Sequence, residues 1–360
     1  MSSLNLKDFR FHNLPNKAKI LIIRLRSLGD LVLNTACYKI VKEDLPSCEL
    51  SVLVESPLQE VIGGNPYVDN IIVWDKDKIR SSIINQIRFI NYNIRRQGYD
   101  MVLDMHGGPR SAIFTFFSKA KYRVGLEDNR RGLAYNIKVK VKSSSSSTTI
   151  HALEFQIGIL KGLGCRVDHA RPYIHISEDD RLKADSLLKG VGIADDDKIA
   201  VIHPAVVKRH NEWQPDKFAL IADYYQQQRG LNILFTCGPN QGSQIERIGR
   251  FMKSNLISLA EKTTIKDLAS ILQRSKFLLC HNSGPMHLGA AMGVPVFALF
   301  GPVYPTGWRP LGDKHHVFYK PLPCSPCAPY PLKECREGDA ECKKQISAEE
   351  VIKVIEESNV

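Results

Sequence analysis

"LLCHNSGPMHLGAAMGVPVFALFGP" (residues 278–302) packs a strand, a turn, a helix and a second strand into one short stretch. The apolar run through Cys280 stops at His281-Asn282-Ser283-Gly284. Pro285 follows at the first helical turn, where a missing N–H costs nothing. Gly289, Ala290 and Ala291 then give the helix a small-residue side for close approach to a sheet. A second apolar run, residues 294–300, closes at Gly301-Pro302. This is the βαβ pattern of a parallel sheet. Free N–H groups and the dipole at Ser283-Gly284 make a ready anion site. His287 lies one helical turn beyond Ser283, on the same side. A capped helix carrying a chance histidine is the plainer alternative.

The same rhythm extends in both directions. Toward the N-terminus, "AKILIIRL", "CELSVLVES", "VDNIIVWD" and "YDMVLDMHG" read as strands separated by helical patterns such as "LVLNTACYKIVKEDL" and "SSIINQIRFINYNIRRQG". The rhythm restarts at "KIAVIHPA" and continues through "LNILFTCG" and "NLISLAE". Two doubly wound, Rossmann-like α/β domains are expected, residues 1–180 and 181–345. Residues 346–360 should form a closing helix, with a capping box Ser347-x-x-Glu350. The serine run at residues 143–147 reads as a surface loop. In open α/β sheets ligands bind beyond the carboxyl ends of strands, so the loops after strands carry the candidates.

The chain has 360 residues, 24% charged and 43% hydrophobic, an ordinary composition for a soluble protein. No apolar run reaches the roughly 18–20 residues that a membrane span needs. Arg24 and Arg26 interrupt the first apolar run, which excludes a signal peptide and points to the cytoplasm. The net charge of +11 favours anionic partners. Nucleic acid is not among them, because no basic stripe or nucleic-acid motif is present.

Four loops carry chemistry. In "RLRSLGDLVL", Gly29 suits a strand-to-helix turn and Asp30 stands at the helix start, either as a cap or as a general base. "VLDMHGGPRSA" brings together Asp104, His106 and Arg110, with Arg110 suited to an anion or to plain surface. "VIHPAVVKRHNEW" supplies the cations Lys208, Arg209 and His210. "FTCGPNQGSQIE" places Glu246 on a helix after a glycine loop, where a carboxylate can hold a ribose diol.

"ILIIRLRSLGDLVLNTACYKIVKEDLP" and "LASILQRSKFLLCHNSGPMHLGAAMGVPVFALFGP" resemble the entry motif and the nucleotide-site motif of glycosyltransferase family 9, the ADP-heptose:lipopolysaccharide heptosyltransferases and their relatives. The resemblance covers nearly the whole chain. It implies a GT-B fold, two Rossmann-like domains facing across a cleft, and inverting transfer in a single displacement without a catalytic metal. It further implies an ADP-sugar donor, a lipopolysaccharide core-type acceptor and peripheral visits to the inner face of the membrane. By position, Asp30 matches the catalytic base and Ser283, Gly284 and His287 match the donor motif. Glu246 matches the ribose carboxylate, Lys262 and Thr263 the adenine surroundings, and Arg110, with His106 beside it, the acceptor side.

Two residues depart from the family pattern. Asn282 replaces its acidic residue. Asn211 stands where a lysine precedes the tryptophan, with Lys208 as the nearest substitute. A nucleotide-sugar epimerase, or a nucleotide-binding relative without catalysis, is the competing expectation. The tail spaces Cys324, Cys327, Cys335 and Cys342 as C-x2-C-x7-C-x6-C, which suits a structural zinc, a disulfide or free thiols. The closing helix is expected to pack back on the N-terminal domain.

Overall fold

The computed structural model describes residues 9–80, 82–128, 131–141, 150–207, 211–327, 335 and 340–360. Lys208, Arg209, His210 and the serine run lie outside the described residues. The chain divides into two compact units, Met1–His175 and Ile176–Val360.

The first unit runs β1 (Lys19–Ile23), α1 (Leu28–Asp44), β2 (Glu49–Glu55), α2 (Gln59–Ile62), β3 (Asn70–Trp74), α3 (Lys76–Arg80) and α4 (Ile83–Asn93). It continues through β4 (Met101–Asp104), α5 (Pro109–Phe117), β5 (Tyr122–Leu126), β6 (Ile137–Val139) and α6 (Ala152–Gly162). Its strands pair in parallel in the order β3-β2-β1-β4-β5-β6. The central strands bury side chains on both faces, as "KILII" and "MVLD" do. Parallel sheets covered by helices on each side demand such continuous apolar runs. Helix α1 is buried almost all round, with Leu31, Val32, Cys37, Tyr38 and Val41 at or near zero exposure. Each fully buried apolar side chain of this kind contributes roughly 1.5–3 kcal/mol.

The second unit opens with α7 (Glu178–Lys189), β7 (Ile199–His203), α8 (Pro215–Arg229), β8 (Asn232–Phe235), α9 (Gly242–Gly249) and β9 (Ile257–Ser258). Then come α10 (Ile265–Arg274), β10 (Leu278–His281), α11 (Gly284–Ala291), β11 (Val296–Leu299), α12 (Pro305–Trp308) and β12 (His316–Phe318). The chain closes with α13 (Glu341–Lys344) and α14 (Ala348–Glu357). Its sheet order, β12-β11-β10-β7-β8-β9, repeats that of the first unit strand for strand. In both, the order reverses beside the first strand of the unit. Those reversals, β1/β4 and β7/β10, are the switch points where open α/β sheets hold ligands.

Three strands, β5 and the edge strands β6 and β12, exceed what hydrophobic runs predict. They are short and carry Arg123, Lys138 and His316, so no apolar run announces them. The closing helix is anchored in the second unit. Its apolar side, Ala348, Val351 and Ile355, joins Trp213, Phe218 and Tyr225 in the core of the second unit. It therefore packs on α8 of its own unit.

Candidate active site

In the first unit the loops after β1 and β4 are tied together. Ser27 starts α1, and its N–H and hydroxyl donate to one Asp30 oxygen at 3.3 and 3.0 Å. The Arg24 guanidinium pairs with the other oxygen and also donates to the Met105 carbonyl, joining the two loops. Gln156 of α6 donates to the Asp30 carbonyl at 3.2 Å and accepts from Asn34 at 2.7 Å. The Asp30 side chain stays 19% exposed, so it is pinned but reachable.

Asp104, buried at the end of β4, organises the second loop. Its carboxylate accepts from the His106 and Gly107 N–H groups at 3.0 and 2.8 Å and from the Tyr135 hydroxyl at 2.7 Å. Gly107 has φ +68°, and a Cβ on Gly108 would meet the His106 ring at 2.8 Å, so this turn requires both glycines. Burial and the Arg24 charge push the His106 pKa down, against the pull of Asp104, favouring a neutral imidazole. Arg110 lies over the Trp74 ring at 5.1 Å. A cavity of about 410 Å³ opens beside this loop, lined by His106, Gly107, Glu127, Asp128, Arg131 and the Phe155 ring among others. A lining that combines charged groups with an aromatic side chain suits a sugar, whose hydroxyls and C–H faces need both.

The second unit uses a different device. His281 ends β10 fully buried. Lys343 of α13, 2% exposed, donates to His281 Nδ1 at 2.9 Å and to the Asn211 carbonyl. Lys217 donates to the Lys344 and Ile346 carbonyls at 2.7 and 2.8 Å, and Trp213 Nε1 reaches the Ile346 carbonyl at 3.1 Å. The segment around α13 is thereby strapped onto the loop after β7. Burial pushes the Lys343 pKa down to about 7, partly opposed by Cys342, Glu212 and Cys280. Burial, and next Lys343, hold His281 well below the usual histidine range, which keeps the imidazole neutral and able to accept. Nothing in the sequence marks Lys343, one of two adjacent lysines in a polar tail.

The opening stretch of the sequence folds at the β10 end of the switch point. Ser283 has extended backbone, and its hydroxyl donates to the His281 carbonyl at 3.2 Å instead of capping α11. The first turn of α11 thus has no side-chain cap, and Pro285 sits within it. Asn282 extends the ladder to β11 through its N–H and the Leu299 carbonyl at 3.2 Å. His287 is buried on α11, its ring 6.3 Å from that of Trp308. The Gly242 N–H donates to Glu261 at 2.7 Å, joining the start of α9 to the loop that bears Lys262 and Thr263. Glu246 is exposed on α9, and Glu212 pairs with Arg247 at 2.6 Å.

Of the alternatives open for the tail cysteines, a structural zinc gains no support. Cys324, Cys327, Cys335 and Cys342 form no disulfide, and among the described residues no three His, Cys, Asp or Glu side chains are grouped to hold a metal. Cys342 is instead buried beneath Gly301, where an added Cβ would stand 2.9 Å from its sulfur. No helix among the described residues is long and apolar enough to cross a membrane.

The chain is 24% identical over 294 residues to lipopolysaccharide heptosyltransferase 3 of Escherichia coli K12, covering 79% of this chain and 83% of that one. The crystal structure of a glycosyl transferase family 9 protein from Veillonella parvula superposes with a TM-score of 0.84 at 24% identity, covering 96% and 98% of the two chains. E. coli heptosyltransferase WaaC with ADP superposes at 0.72 with 19% identity, covering 94% and 99%. These likenesses give the two Rossmann-like units a GT-B fold. The family description "Glycosyltransferase family 9 (heptosyltransferase)" matches residues 87–337, which contain the β4 loop and the whole β7/β10 switch point. With that match spanning most of the chain, the protein belongs to glycosyltransferase family 9.

Proposed function

We propose that this protein transfers a heptose from ADP-heptose to a lipopolysaccharide core-type acceptor, with inversion at the anomeric carbon. The observation that carries the proposal is that each unit presents its own, unlike switch point. One presents a pinned, reachable carboxylate, Asp30, and the other an uncapped helix start, Ser283-Gly284. Asp30 accepts the proton of an acceptor hydroxyl as its oxygen bonds to the anomeric carbon. The bond from that carbon to the ADP phosphate breaks on the opposite face, and ADP leaves with the extra charge. N–H groups and the helix dipole at α11 stabilise that charge, so no step is routed through a metal. Asn282 and His287 flank the diphosphate, Glu246 holds the ribose, and Lys262 and Thr263 border the adenine. His106 and Arg110 face the acceptor, with the cavity beside His106 receiving a core sugar. Relatives named for lipopolysaccharide heptosyl transfer and a neighbour solved with ADP support the donor and acceptor classes.

The test is direct. The pure protein is titrated with ADP, then incubated with ADP-heptose and truncated core acceptors, and the product's anomeric configuration is read by NMR. ADP binding followed by an inverted product is the expected result. A retained configuration, or donor epimerised without any acceptor, would overturn the proposal.

A further inference from the structure

We infer that the outer face of α4 is a docking surface for an anionic lipid bilayer. Ile83, Ile84 and Ile87 are 75%, 62% and 62% exposed. Their spacing of i, i+1 and i+4 puts all three on one side of the helix. The opposite side is already satisfied, since Phe89 is buried against Trp74 and Phe114 at ring distances of 4.9 and 5.9 Å. A surface helix of a globular protein needs one apolar stripe, and α4 carries two.

Charge selects the occupant. Residues 75–97 hold six Lys or Arg (76, 78, 80, 88, 95, 96) against Asp75 and Asp77, so +4 of the chain's +11 lies in this short segment. Lys78 is paired with Asp75 at 3.2 Å, while Arg88 is exposed on α4 itself. Exposed isoleucines in a segment rich in long cationic side chains match an interface of acyl chains beneath anionic headgroups. A second copy docked isologously through this face would set the same cations against each other.

Position supplies a second argument, which rests on the proposed function. Trp74 touches Phe89 of α4 on one side and carries Arg110 over its ring on the other. The docking face is therefore one aromatic layer from the loop assigned to the acceptor. Helix α5, packed on α4 through Phe114, exposes Ile113 and Phe117 by 48% and 44%. A bilayer held at α4 brings a lipid-borne acceptor to that loop.

The test uses the full chain and co-sedimentation with two vesicle types, phosphatidylglycerol/phosphatidylethanolamine and pure phosphatidylcholine. Binding to the anionic vesicles only is expected, falling steeply as salt rises from about 0.1 to 0.5 M. The triple variant Ile83→Ser, Ile84→Ser, Ile87→Ser should lower partitioning by about tenfold or more. The pair Arg80→Gln, Arg88→Gln should lower it roughly fivefold per charge. Both variants should keep the parent's melting temperature and ADP affinity. Equal binding to phosphatidylcholine, parent-like partitioning of the triple variant, or a dimer that the triple variant dissolves would each overturn the inference. Vesicle binding lost in the variant while the parent transfers no heptose would leave this surface standing and sink the enzymatic proposal instead.

Discussion

The two units share one strand order and build opposite electrostatics at the same topological place. At β1/β4 the organising groups are carboxylates: Asp104 gathers three donors and Asp30 sits in the grip of Ser27 and Arg24. At β7/β10 the organiser is a buried lysine, Lys343, held by a neutral histidine and a backbone carbonyl. Topology fixes where a crevice lies, and the residues that pin its loops decide which charge it presents. A pinned, reachable carboxylate suits proton removal from an alcohol, and an uncapped helix start suits a leaving diphosphate.

The sharpest way to break this contrast is Asp30→Ala. A positioned general base supplies about 10²- to 10⁴-fold in rate, so the turnover number should fall by that order while ADP affinity is unchanged. Full activity in this variant would remove the catalytic half of the comparison and leave Asp30 a helix cap.

The next test concerns how closely α11 approaches its sheet. A Cβ on Gly289 would lie 2.7 Å from Leu278, 3.2 Å from Val296 and 3.3 Å from Val294. Gly289→Ala should therefore destabilise by about 1–3 kcal/mol through overpacking, read from the urea midpoint, and weaken ADP binding with it. An unchanged midpoint would show that the helix has room to spare.

The smallest effect sharpens the role of the buried lysine. Lys343→Met keeps the volume and removes the charge, so stability near neutral pH should change little. Its pH dependence should change more. In the unfolded chain Lys343 holds its proton up to its ordinary value of 10.5, whereas burial strips it above about pH 7 in the fold. The unfolded state thus binds the extra proton between those values, and this residue makes stability rise with pH across that window. The variant should flatten that rise and raise the Michaelis constant for the donor several-fold, with the turnover number nearly kept. An identical pH profile would show that Lys343 does not titrate in the fold.

Periodicity alone made most of the architecture legible. Continuous apolar runs such as "KILII" and "LLCH" announce buried parallel strands because both of their faces must be covered. Polar residues at the ends of those runs, Asp30, His106 and Ser283, were legible as site candidates because a strand end in an open sheet has no reason to be polar unless it caps or binds. The short charged strands β5 and β6 escaped, since three to five residues around an Arg or Lys carry no period. So did the zinc question, because spacing gives thiols an opportunity and only packing places them, here with Cys342 beneath Gly301.

By itself, then, the sequence determined two doubly wound halves and the loops in which the polar residues cluster, because burial period and turn chemistry are local properties of the chain. Tertiary structure alone decided that Lys343 reaches across more than a hundred residues to Asn211, and that the last helix packs on α8. It alone left Ile83, Ile84 and Ile87 uncovered on α4. Which partner a buried lysine finds, and which apolar stripe stays open, depends on what the rest of the fold brings alongside.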